Sequence, residues 1–195
     1  MTGFPGCREE HTRFFRREGD NSSATAGQAA CGLIHPACYA YAGTVFPLLS
    51  AFVYLYTAAN VQSFGVAAVL NGFVLIIGLI AGEGNPALVI GLAVLTLLAE
   101  LVRGKAGYGT RKGVRASFIP FAYSFYAYSA HWWTETDASL AAAAEEMPAG
   151  YAERMEPVIH NIPMLVIMLL LAVPAAILGM RIAEKVLGKQ AASLK

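Results

Sequence analysis

His131, Trp132, Trp133 and Glu135 close one apolar stretch of the chain, Glu83 and Asn85 form the turn between two others, and His160 and Asn161 open the last. Just before the first of these groups, in "FAYSFYAYSAHWWTE", Tyr123, Tyr126 and Tyr128 place phenol hydroxyls among phenylalanines. Flat apolar walls with a few hydrogen-bonding tips are what a small-molecule pocket needs. Buried tyrosine and tryptophan must also find partners for their polar atoms. The chemistry open to this set is recognition. Asn71, deeper in an apolar stretch, can serve the same ligand or tie its helix to a neighbour.

Catalysis has no legible apparatus. "RGKAGYGTRKG" is glycine-rich and basic, but a phosphate loop needs GxxxxGK followed by Ser or Thr; Ala106 follows Lys105, and Ala99 stands where the earlier glycine belongs. HExxH, GxSxG and paired-cysteine motifs do not occur. Cys7, Cys31 and Cys38 fit neither a disulfide framework nor a metal knuckle. Scattered histidines without a local motif do not make a metal site. The expectation is no catalytic residue, no metal and no cofactor, with any energy source on another polypeptide.

The elements that must position these groups follow from composition. The 195 residues are 56% hydrophobic and only 14% charged, too apolar for an ordinary soluble domain, and the small net charge of +1 argues against nucleic acid as a partner. Five stretches approach the roughly 20 residues that cross a hydrocarbon core. They run near Pro36 to Ala59, Phe64 to Ala81, Pro86 to Val102, Val114 to Trp133 and Val158 to Ile182. Backbone groups in lipid must be satisfied within the segment, so the spans are helices and the fold is an all-α polytopic membrane bundle. Pro47, Pro120, Pro163 and Pro174 fall inside these spans and should kink them. In the fourth, Phe121, Phe125, Tyr128 and Trp132 recur as one helical stripe, with Trp132 and Trp133 where an interfacial belt belongs. Glu100 is expected to pair with Arg103 three residues on, at the membrane interface.

Orientation follows from Lys and Arg in the short loops. "VRGKAGYGTRKGVR" carries five cations and no acid, which places it in the cytoplasm; the C-terminus, with Arg181, Lys185, Lys189 and Lys195, agrees. The acidic segment from Glu135 to Glu156 then lies outside, as do Glu83 and His160. Within it "DASLAAAAEEM" reads as a short extracellular surface helix, capped by Asp137 or Ser139 and ended by Met147, Pro148 and Gly150. All the polar groups named first, Asn71 apart, face one side. Five spans, however, strand a basic, mixed-charge N-terminus outside. Either that segment is translocated or a helix is missing before His35.

The order "HPACYAYAGTVFPLLSAFVYLYTAANVQSFG", "GLAVLTLLAELVRGKAGYGTRKGVRASFIPFAYS", "GYAERM" and "AAILGMRIAEKVLGK" resembles the substrate-binding S components of energy-coupling factor (ECF) transporters, more narrowly the MptD, or Trep_Strep, group. The resemblance covers about His35 to Lys189. It implies a six-helix bundle in the cell membrane that captures a micronutrient from outside and works with a transmembrane coupling protein and two cytoplasmic ATPases. The ligand would sit near the outer face, against loops and later helices. Such proteins usually begin with a helix of small residues that contacts the coupling protein, and no such helix is legible in Met1 to Leu33. A truncated or frameshifted start is the expectation that fits both this departure and the charge conflict. The organisation expected is a polar, disordered or aberrant segment over 1–34, a transmembrane helical domain over 35–190 and a cytoplasmic tail over 191–195.

Overall fold

A computed structural model describes residues 35–80 and 84–194. The expectations about residues 1–34, and Glu83 among the site candidates, lie outside them. The described residues contain helices and no strand. In chain order these are α1 (Pro36–Ala40), α2 (Ala42–Asn60), α3 (Val66–Ile80), α4 (Pro86–Ala106), α5 (Arg111–Ala122), α6 (Ser124–Ser129), α7 (His131–Thr134), α8 (Thr136–Glu146), α9 (Tyr151–Ile159), α10 (Ile162–Val186) and α11 (Gly188–Ser193).

Helix starts are written in local chemistry. Asn85 accepts from the Leu88 amide with Pro86 in the first turn of α4, Thr110 accepts from Gly113 at α5, and Asn161 accepts from Met164 at α10. These side chains satisfy amides that have no partner inside the helix. At α8 the cap differs from the sequence expectation. Glu135 occupies the cap position without a side-chain bond, and Asp137 and Ser139 fall within the first turns.

Among the described residues, α2, α4 and α10 are long and apolar enough to cross a membrane, while α3 is a shorter apolar helix. Their outward faces are bare hydrocarbon: Phe73, Ile76 and Ile80 on α3, Ile90, Val94, Leu97 and Leu101 on α4, Val166 and Leu170 on α10. In water such a surface would aggregate; in a bilayer it matches the solvent. The all-α membrane bundle expected from the sequence is what forms.

The fourth expected span is the main correction. It is not one helix from Val114 to Trp133 but three, with breaks at Tyr123 and Ala130. Pro120 has no N–H for the preceding turn, and the Tyr123 amide closes on the Pro120 carbonyl three residues back. The Ala130 amide likewise bonds Ala127, and Trp133 bonds Ala130. Each tight turn advances the register toward three residues per turn, so the aromatic stripe is dealt onto different faces.

Phe121 joins Phe118 and Tyr54 in the deep core, with Tyr54 and Phe121 centroids 4.7 Å apart. Phe125 and Tyr128 turn to α4, against Leu88 and Leu92. Trp132 goes to the capping helices. The first span is likewise interrupted, at Tyr41, and the last, at His160 and Asn161.

Small residues set the closest approach. Ala172, Ala176, Gly179 and Ala183 form the buried ridge of α10 that faces α2. A Cβ at Gly179 would lie 2.7 Å from the Pro47 carbonyl oxygen and 2.9 Å from Leu48 Cα, both backbone atoms that cannot yield. At the opposite end of α2, buried charges hold the helix ends. The Glu100 carboxylate accepts from the Ala67 amide at 2.7 Å, in the first turn of α3, and Arg103 Nη2 donates to the Ala58 and Val61 carbonyls where α2 stops. The two do not pair with each other, contrary to expectation: among the described residues the only ion pair is Arg115 with Glu184. Each instead complements a helix dipole, the anion at an N-terminus and the cation at a C-terminus.

Replacing Gly179 by Ala should destabilise the protein by about 1–3 kcal/mol through forced helix separation. Gly72→Ala, which meets open space, should be neutral or slightly stabilising. Thermal unfolding of the two variants in one detergent checks the contrast.

Candidate functional site at the aromatic end

The start of α2, the chain around α6 and α7, and the capping helices α8 and α9 meet at one end of the bundle. Its organising atom is the Thr44 hydroxyl, 2.6 Å from the Tyr126 hydroxyl and donating to the Met168 carbonyl at 3.0 Å. One side chain thus links α2, α6 and α10. Tyr123 donates to the next carbonyl, Leu169, at 2.8 Å. Pro174 lies inside the same helix and supplies no amide to the carbonyl four residues back, Leu170, the residue after these two acceptors. Gly43 lets the Tyr126 ring lie on α2, since a Cβ there would be 2.7 Å from the ring.

Over this layer sits a second aromatic group. Trp132 is 5% exposed and packs edge-on against Tyr39, with centroids 6.2 Å apart, while the His131 ring centroid lies 5.1 Å from that of Trp132. Tyr41, Tyr151 and Met155 complete the cluster. Helices α8 and α9 close it. Tyr41 donates to the Val158 carbonyl, Trp133 Nε1 to Ile159, and Ser139 to the His131 carbonyl. Burial pushes the Tyr151 phenol above its ordinary pKa, with Arg154 pulling slightly the other way, so it stays neutral within the cap. The Trp132 indole N–H, by contrast, is buried with no acceptor among the described residues.

Of the residues expected from sequence, Tyr123, Tyr126, His131 and Trp132 are brought to this end as one layered group. Tyr128 faces α4 instead. Asn71 donates to Thr96 Oγ1 at 2.8 Å and ties α3 to α4, the helix-tie alternative. Asn85 and Asn161 are spent as helix caps, Glu135 is exposed at the α7–α8 junction, and His160 is exposed with Nδ1 against the Glu156 carbonyl. No group of three His, Cys, Asp or Glu that could hold a metal occurs among the described residues.

Sequence reasoning missed Thr44, Tyr41, Tyr151 and Met155. The usable signals were small: a Gly43–Thr44 pair inside an apolar span, and Tyr151 and Met155 spaced i, i+4 in "GYAERM".

Among protein families, one described as a hypothetical bacterial integral membrane protein (Trep_Strep) matches residues 24–192. The chain belongs to that family. Neither the curated proteins nor the solved structures contain a significant match. In this Trep_Strep chain the match takes in every element that builds the aromatic end, from α1 through α10.

Thr44→Val should leave the Tyr126 hydroxyl buried and short of a partner, at a cost of about 1–3 kcal/mol. Tyr126→Phe in the same background should recover part of that loss. A double-mutant cycle by thermal unfolding should give a coupling above about 0.5 kcal/mol.

Proposed function

We propose that this chain is the substrate-capture subunit, the S component, of an ATP-driven ECF-type micronutrient importer. It binds a small molecule beneath the α8–α9 cap and does no catalysis itself. In this reading the aromatic end faces outside, the C-terminus is cytoplasmic, and a transmembrane coupling protein with two ATPases supplies the energy. Membership of an integral membrane family and the order of segments that resembles S components support it.

The observation that carries the reading is the Trp132 indole N–H. It is a buried donor left unpaired under a two-helix cap, with aromatic faces around it. A buried unpaired donor is expensive in the empty protein and gains a bond when a ligand brings an acceptor. Entry requires α8 and α9 to lift, breaking the Tyr41 bond to Val158 and the Trp133 bond to Ile159. Cap opening of this kind is ordinary for ligand sites closed by surface helices.

A purely structural role in a membrane assembly is the second reading, favoured by the mutual satisfaction of Thr44 and Tyr126. The two separate on Trp132→Phe, which keeps the ring and deletes the donor. Under the capture reading the variant melts at or slightly above the parent temperature, yet its uptake affinity drops roughly 3- to 10-fold, the worth of one neutral hydrogen bond. Unchanged uptake in whole cells, with partner subunits still co-purifying, would favour the structural role.

A further inference from the structure

Two clefts open side by side at the basic end of the bundle, far from the aromatic group, with volumes of about 590 and 540 Å³. They share Arg111 and Arg115 from the first turns of α5 and Arg181 from the last third of α10. Lys112 lines one and Lys185 the other. Five cations therefore converge from two helices. The one carboxylate in the lining, Glu184, is already held by Arg115 through both oxygens, with Nε at 2.6 Å from Oε1.

Among the described residues, no carboxylate pairs with the other four cations. Arg111 gives its Nε to the Ala191 carbonyl, which steadies the side chain without neutralising it. Lys112, Arg181 and Lys185 are exposed, and no hydrogen bond or ion pair among the described residues engages their side chains. The N-terminus of α5 adds the positive end of a helix dipole to the same spot.

Alone, a row of cations at a membrane helix end needs no explanation beyond snorkelling to the interface. Here the wall changes character within a turn. Ile177 and Leu178, directly before the cations of α10, are exposed, as is Ile182 beside them, and Ile119 continues the apolar wall on α5. The cleft is thus cationic above and hydrocarbon below, on a face that meets lipid.

We propose that this double cleft binds an anionic phospholipid, its phosphate among Arg111, Lys112, Arg181 and Lys185 and its acyl chains along Ile177, Leu178 and Ile182. A basic recess between membrane helices with an apolar lower wall has the charge and shape of a headgroup site. Arginine supplies paired donors to phosphate oxygens, lysine a mobile point charge. The inference is independent of the transport role and of which face of the membrane this end occupies.

Native mass spectrometry of the full chain in detergent, titrated separately with phosphatidylglycerol and phosphatidylcholine, tests it. The expected result is retention of phosphatidylglycerol well above phosphatidylcholine, with a matching rise in melting temperature that added salt weakens. K112Q/R181Q/K185Q, which breaks no internal bond, should lower the preference by at least about tenfold while K112R/R181K/K185R keeps it. Equal retention of both lipids by the parent chain, or an unchanged preference in the neutralised variant, would overturn the proposal. So would a melting rise with inorganic phosphate alone as large as with phosphatidylglycerol, since that assigns the cleft to a soluble anion.

Discussion

Hydrocarbon offers no hydrogen-bond partner, so a polar side chain in a membrane span must find one on another helix, and in this chain the Thr44 hydroxyl does so for three helices at once. Its position is dictated from both sides. Gly43 removes the side chain that would push Tyr126 away, and α10 presents the successive Met168 and Leu169 carbonyls that receive Thr44 and Tyr123. Removing this tie would leave the Tyr123 bond to Leu169 between the start of α6 and α10, but α2 would meet both largely through apolar surfaces, which lipid satisfies equally well. The aromatic end can be a defined layer rather than a greasy interface because these hydroxyls fix the register.

The same constraint acts at the other end with full charges. Glu100 and Arg103 are buried, and each finds a helix terminus rather than its neighbour in sequence. Together they pin the connection between α2 and α3 against α4. The bundle is therefore held at its two ends by polar groups and along its length by small-residue contact, as where Gly179 meets the Pro47 backbone. Between them runs a lipid-facing surface that the fold leaves unpaired. Among the described residues, polar groups also gather in the capped aromatic layer and in the cationic clefts.

Much of the architecture was legible because it follows from solvent. Long apolar runs, a cation-rich loop and short capped turns place α2, α3, α4 and α10 within a few residues. What the sequence concealed was rotation. A stripe drawn through Phe121, Phe125, Tyr128 and Trp132 assumes 3.6 residues per turn throughout, and two tight turns after Pro120 break that assumption. Hence Tyr126, His131 and Trp132 lie in the layered group at the aromatic end while Tyr128 packs against α4. Asn85 and Asn161 drew attention as polar groups at an end of the bundle, yet each caps a helix, a use that their place directly before an apolar run makes legible. For Thr44 the local pattern offers only a small polar pair with Gly43 in an apolar span, and its partners lie more than 80 residues away in the chain.

The proposed role requires the layer around Trp132 and Tyr126 to hold a small molecule beneath α8 and α9. The most direct measurement is native mass spectrometry of the chain purified from cells grown in rich medium, with lipid adducts distinguished by their masses. The expected result is one non-lipid small molecule per chain, lost when the protein is denatured and taken up again from medium extract. Chains that carry only lipid, and gain no further mass from any extract, would contradict it.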